Sequence, residues 1–326
     1  MVYTIYWAQR SYGGRLELVI TYQIQKENQV FSGLSAFVLT PMNENSINEV
    51  DFVKLVDRVC LAGVDSIGVL GSTGNYAYLT LNERMHLTAL AVRHAGKVPV
   101  IAGISALRTR DVLSLAKEAQ EAGVSAVLLA PMSYQKLSDT DVFKLYQTVT
   151  RELSIGLCVY DNPSTTHFAF SDELHGRIAQ LPNVRSIKIP GVPDDLEEAK
   201  VRVKRLRAMI PPHVTIGVSG DASGATGLNA GCEVWYSVIG GLFPHTTLEI
   251  ARAALSGNIK ESTRLSERLR PIWDLFKQNG GSLRVIATAA ELQALINSPS
   301  LPLPLRTLDG TARKRLTALI DELELS

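Results

Sequence analysis

The 326 residues are 46% hydrophobic and 20% charged, with a formal net charge of +1, a globular composition with ample material for a large core. No basic stripe or polybasic run is present, which argues against a nucleic-acid or membrane-surface role, and no stretch reaches the ~18 uninterrupted apolar residues of a spanning helix. Cys60, Cys158 and Cys232 are odd in number, far apart and set in apolar runs, so they read as reduced, buried thiols of a cytoplasmic protein.

Residues 1–31 read as an N-terminal extension. Tyr3-Thr4-Ile5-Tyr6-Trp7 and Leu16-Glu17-Leu18-Val19-Ile20-Thr21-Tyr22 are β-prone runs that bracket Gly13-Gly14, a hairpin signal. A disordered or loosely attached segment fits the same residues. No cationic start leads into an apolar stretch and a cleavage site, so no secretory signal is expected.

From there the pattern is regular. Short apolar runs recur at Ala36–Leu39, Ser66–Leu70, Val98–Ala102, Ala126–Leu129, Gly156–Tyr160, Arg185–Ile189, Thr215–Val218 and Val234–Val238. Between them apolar residues fall at three- and four-residue spacing, as in Phe52-Leu55-Val56-Val59 and Val112-Leu115-Ala116-Ala119, the period of amphipathic helices. Ala62-Gly63-Val64-Asp65 and Ala122-Gly123-Val124-Ser125 place glycine where a helix closes before a buried strand. Strands that are apolar throughout and alternate with helices form a covered parallel sheet. The expectation is an α/β fold, a (β/α)8 TIM barrel over residues 32–243, with a helical segment over 244–326. An open doubly wound sheet is the alternative, but no glycine-rich dinucleotide fingerprint follows Leu39.

Within the sixth run, Ile187-Lys188-Ile189 sets a lysine among β-branched residues. An unpaired ammonium is costly there. One reason to accept the cost is a depressed pKa, which leaves a neutral amine able to attack a carbonyl. The fifth run ends in Tyr160-Asp161-Asn162-Pro163, so a phenol and an amine at the ends of neighbouring strands would share one cup. Other carboxyl ends carry Gly71-Ser72-Thr73-Gly74-Asn75, Ala130-Pro131-Met132-Ser133-Tyr134 and Ser219-Gly220-Asp221. The hydroxyls and backbone N–H groups of the first of these suit a small carboxylate. His167 falls near this end and reads as a surface histidine. Trp235 and Tyr236 either face the mouth or pack against helices.

These motifs, in this order, resemble the dihydrodipicolinate synthase / N-acetylneuraminate lyase superfamily of pyruvate-dependent class I aldolases, from about Phe31 to the C-terminus. The resemblance implies that Lys188 forms an imine with the C2 carbonyl of pyruvate or of a 2-oxo acid. Tyr160 would relay protons, and Ser72 and Thr73 would hold the pyruvate carboxylate. Gly220, Tyr236, Ser133, Thr165 and Asp221 would border the substrate. It implies no cofactor and no metal, a small-molecule substrate, and a homo-oligomer, dimer or tetramer, with the turn after the fourth strand entering a partner's site.

The sequence also departs from the family. Asn75 replaces a glutamate, and the relay tyrosine from the neighbouring subunit falls on Ser133, with Tyr134 one position away. An arginine that grips aspartate semialdehyde in the synthases is Thr165, which carries no charge. Lyase-specific residues are replaced by Ile189 and by a single acid, Asp221, before Ala222. The expectation is therefore an aldolase or hydro-lyase whose partner is a hydroxylated or aromatic aldehyde. A genuine 4-hydroxy-tetrahydrodipicolinate synthase and a non-catalytic 2-oxo-acid sensor are the alternatives.

Overall fold

The eight apolar runs close into one sheet because each is buried on both faces: interior side chains fill the barrel and exterior ones meet the helices. In this computed structural model, which describes residues 30–326, the strands are β1 Gly33–Phe37, β2 Ser66–Val69, β3 Val100–Gly103, β4 Ala126–Leu129, β5 Gly156–Tyr160, β6 Val184–Ile189, β7 Thr215–Val218 and β8 Val234–Ser237. They form a closed barrel in sequential order, all parallel, and β8 returns to β1 with Leu34 opposite Trp235. The fold is a (β/α)8 barrel. The expected Gly13-Gly14 hairpin lies outside the described residues.

The first helices are α1 Glu49–Ala62, α2 Leu81–His94, α3 Thr109–Ala122 and α4 Asp139–Arg151. On α1 and α3 the buried stripes include Phe52, Leu55, Val56, Val59 and Val112, Leu115, Ala116, Ala119, each large side chain contributing about 1.5–3 kcal/mol. Both helices end in a left-handed glycine, Gly63 at φ 78° and Gly123 at φ 88°, as the spacing implied. Thr80 with Glu83, and Ser138 with Asp141, form capping boxes at the starts of α2 and α4, which satisfies amide groups that helix starts leave orphaned.

Next come the single turn α5 Pro163–Thr166, then α6 Asp172–Ala179, α7 Leu196–Arg207, α8 Gly224–Asn229 and α9 Pro244–Leu255. Helix α9 packs against β1 and α1, and its Arg252 grips Asp65 with N–O distances of 2.6 and 3.0 Å. The ring of helices thus closes at Leu255, later than residue 243.

Helices α10 Ile259–Arg268, α11 Arg270–Gln278, α12 Leu283–Leu292 and α13 Gly310–Glu322 follow. The chain between α12 and α13 crosses back to the barrel. There Asn297 donates from its backbone N–H and Nδ2 to the buried Asp51 carboxylate at 2.7 and 2.9 Å. Leu303 N–H donates to Glu44 Oε2 at 3.1 Å, and Met42 N–H to the Ser300 carbonyl at 3.2 Å.

β2, β3, β6 and β8 differ from expectation by one or two residues at their ends, and β1 differs most. β1 begins at Gly33 and ends at Phe37, where the sequence suggested Ala36–Leu39. The apolar run from Leu34 to Leu39 fits either frame, and pairing with β8 selects the earlier one. Phe37, not Leu39, therefore stands at the carboxyl end.

Candidate active site

Tyr160 on β5 and Lys188 on β6 are register partners, and Lys188 faces Gly217 across to β7. Lys188 is 3% exposed. Its Nζ rests 3.8 Å from the centroid of the Phe37 ring, 4.5 Å from that of Tyr160 and 5.3 Å from that of Tyr236. Among the described residues no carboxylate forms an ion pair with it. Ring faces favour an ammonium, but by only about 0.5–2 kcal/mol, and desolvation outweighs them. Burial lowers the Lys188 pKa from 10.5 to about 8, in the direction an imine-forming amine requires.

Two glycines make room for this aromatic nest. A Cβ on Gly68 would lie 2.5 Å from the Phe37 ring, and one on Gly217 would lie 2.1 Å from the Tyr236 ring. Tyr236 turns its hydroxyl into the barrel, 2.7 Å from Ser186 Oγ and 3.4 Å from Cys158 Sγ. It supplies the floor beneath Lys188, and its hydroxyl is committed below. Trp235, on the opposite face of β8, is fully buried against α8, where a Cβ on Gly224 would lie 2.4 Å from its ring. The packing reading holds for it.

The Tyr160 hydroxyl lies 3.3 Å from Ser72 Oγ and accepts a hydrogen bond from Asn162 Nδ2 at 2.8 Å. Burial raises its pKa to about 12, so the phenol stays protonated. Ser72 belongs to a loop entered at Leu70, φ 56°, and left at Asn75, φ 55°. These left-handed residues are strained for any side chain but least so for asparagine. Gly74 is required by close approach, since a Cβ would lie 2.7 Å from Leu70 N. Asn75, in the glutamate's place, is buried and donates from Nδ2 to the Thr40 carbonyl at 3.0 Å, which pins the loop to the segment after β1.

A cavity of about 490 Å³ opens above Lys188, and Ser72, Thr73, Ser133, Thr165 and Gly220 all line it. One expectation is corrected. Asp221 does not line the cavity: its carboxylate accepts from Ser237 Oγ, Val238 N and Ile239 N at 2.9, 3.1 and 2.9 Å, so it braces the turn after β8. Tyr134 is 92% exposed and does not line the cavity of its own chain.

Sequence reasoning missed Phe37, Asn162 and the roof. Gly280, Gly281 and Ser282, between α11 and α12, line the cavity with Leu283, the first residue of α12, and Leu305. No local signal placed this distant segment over the barrel, whereas Asn162, inside the quoted turn, was within reach. A larger depression of about 870 Å³ opens at the amino ends of the strands near Pro99 and Gly156; Lys188, Tyr160 and Ser72 do not border it.

Comparison with known proteins agrees with this fold. Residues 30–323 match the Dihydrodipicolinate synthetase family. The 4-hydroxy-tetrahydrodipicolinate synthase of Persephonella marina is 29% identical over 300 residues, 90% of this chain and 98% of that protein. The dihydrodipicolinate synthase structure from Agrobacterium tumefaciens superposes with a TM-score of 0.87 at 40% identity, covering 91% of this chain and 99% of that one. A monomeric dihydrodipicolinate synthase variant superposes at 0.81 with 25% identity, covering 91% and 98%. The chain belongs to the dihydrodipicolinate synthetase family, and with it to the lyases that work as class I aldolases.

Proposed function

We propose that the enzyme makes or breaks a carbon–carbon bond of a 2-oxo acid through a pyruvate imine on Lys188. The observation that carries this reading is a buried amine, with no ion-paired carboxylate among the described residues, in register with a protonated phenol. The neutral amine attacks C2 of pyruvate, and the carbinolamine loses water to give an iminium. Loss of a C3 proton gives the enamine, whose C3 attacks the aldehyde carbon while the aldehyde oxygen takes a proton. Hydrolysis then releases a 4-hydroxy-2-oxo acid and restores the amine; cleavage is the reverse.

Tyr160 carries protons to and from the carbinolamine and alkoxide oxygens, joined to Ser72 by its hydrogen bond. Ser72 and the 4%-exposed Thr73 receive the pyruvate carboxylate. Gly220 leaves space beside the imine. The chemistry needs no metal or organic cofactor. The exposed Tyr78 and Tyr134, on the loops after β2 and β4, support a homo-oligomer, and the reduced thiols Cys60, Cys158 and Cys232 support a cytoplasmic setting.

Condensation with aspartate semialdehyde is the second reading, favoured by the activity for which the Persephonella marina relative is named. Borohydride added with pyruvate tests the imine: a three-carbon mass should appear on Lys188, and on no residue of the Lys188→Ala variant. An unmodified wild type, under conditions that trap a control aldolase, ends the reading.

A further inference from the structure

Resting on the Schiff-base reading above, we propose that the aldehyde partner is an uncharged, hydroxyl-bearing one, selected by a cavity mouth built of hydrogen-bond acceptors. Three observations carry this.

The first concerns charge. Among the described residues that line the cavity, Lys188 is the only one with an ionisable cation or carboxylate, and its amine is consumed by the imine. Arg284 and Arg306 adjoin the lining residues Leu283 and Leu305 in sequence, but neither lines the cavity, and Arg284 Nη1 donates to the Arg306 carbonyl at 2.6 Å. A carboxylate on the aldehyde would lose its water with no cation to receive it.

The second concerns hydrogen-bond polarity. Ser133, Ser164 and Thr165 stand at the mouth, half-buried or exposed. Each donates its proton to an acceptor of its own turn, which cannot donate in return. Ser133 Oγ donates to the Gln135 carbonyl, Ser164 Oγ to Asn162 Oδ1 at 2.8 Å, and Thr165 Oγ1 to the Asn162 carbonyl at 3.4 Å. Asn162 Nδ2 is spent on Tyr160 and Ser72 at 2.8 and 3.3 Å, which leaves Oδ1 as the acceptor for Ser164. The hydroxyls therefore turn lone pairs toward an incoming molecule. Lone pairs repel a carboxylate and pair with the O–H groups of a polyol.

The third concerns room. The cavity holds about 490 Å³, well beyond what pyruvate fills, so a chain of several hydroxylated carbons fits above the imine. The reaction joins C3 of the enamine to the aldehyde carbon, with the C=O pair moving to the aldehyde oxygen as it is protonated. The product is a 4-hydroxy-2-oxo acid whose further carbons carry the hydroxyls.

The test uses the full-length protein, pyruvate and matched four-carbon aldehydes: erythrose, butanal, succinate semialdehyde and aspartate semialdehyde, with benzaldehyde as the aromatic case. Product is followed by mass spectrometry, and borohydride trapping runs in parallel. Erythrose should exceed both semialdehydes in kcat/KM by roughly ten- to a hundredfold, the scale of a charged hydrogen bond lost, and should exceed butanal by a smaller factor. Thr165→Val should lower the erythrose value roughly two- to tenfold with imine trapping unchanged. A semialdehyde, butanal or benzaldehyde that outpaces erythrose overturns the proposal, as does trapping of pyruvate with no erythrose product. Absence of trapping removes the Schiff-base reading itself, and this proposal with it.

Discussion

Lys188 trades stability for reactivity. Its pKa is lowered by burial from 10.5 to about 8, so between those values the folded chain binds fewer protons than the unfolded one. Stability contributed by this group therefore rises with pH through that window, and the penalty is complete below about pH 8. Lys188→Met should stabilise the protein by about 2–3 kcal/mol at pH 7, and the gain should vanish above about pH 10.5. Denaturant melts at several pH values check this, and a destabilised Met variant at pH 7 refutes it. The same shift sets the pH profile: pyruvate trapping should accelerate as pH rises toward about 8 and level off above it. Tyr160→Phe keeps the ring that Lys188 rests on but removes the proton carrier. It should lower kcat by roughly 10²–10⁴-fold, with trapping slowed but the melting temperature nearly unchanged. At this scale Lys188, Tyr160, Ser72 and Thr73 were legible, since an amine among β-branched residues is a local anomaly. Phe37 was not, because its role depends on Gly68 leaving a slot across the sheet. Asp221 misled because an acid beside a glycine looks the same whether it faces substrate or braces a turn.

Among elements, period and punctuation placed β4, β5 and β7 at their observed bounds, and glycine closed α1 and α3 where the spacing put it. The roof was illegible for a physical reason. Residues 280–283 and 305 are held over the cavity by long-range contacts, and turn-rich chain of this composition carries no sign of what lies beneath it. The buried Asp51 holds the segment that leads to Leu305, receiving Asn297 N and Nδ2 at 2.7 and 2.9 Å, Asn48 Nδ2 at 2.6 Å and Lys54 Nζ at 2.8 Å. Asp51→Ala leaves the Asn297 N–H without its acceptor, at a cost of about 1–3 kcal/mol. Thermal melts should show the loss. With Leu305 less firmly held, KM for the aldehyde should rise while pyruvate trapping continues at its wild-type rate. An unchanged melting temperature would show that the clamp contributes nothing.

For the whole molecule, the remaining question is why Tyr134 is 92% exposed on the turn after β4. Leu107, after β3, is 61% exposed and Tyr78, after β2, is 48% exposed, so three apolar or aromatic side chains stand at one end of neighbouring strands. Scattered exposed leucines need no explanation, but a group at the site mouth reads as a contact surface. Tyrosine is also among the residues that interfaces favour. The fold does not itself require a partner, since a monomeric variant of a dihydrodipicolinate synthase shares it. The expected state is a closed dimer or tetramer, in which this surface meets its own copy across a two-fold axis. Tyr134→Asp buries a charge at that contact and should shift light-scattering mass toward the monomer at micromolar concentration, with aldol turnover falling in step. The melting temperature measured at high dilution, where the wild type is dissociated too, should barely move. A wild type that scatters as a monomer at micromolar concentration, or a Tyr134→Asp variant that keeps the full assembly, would show that these side chains serve something other than self-association.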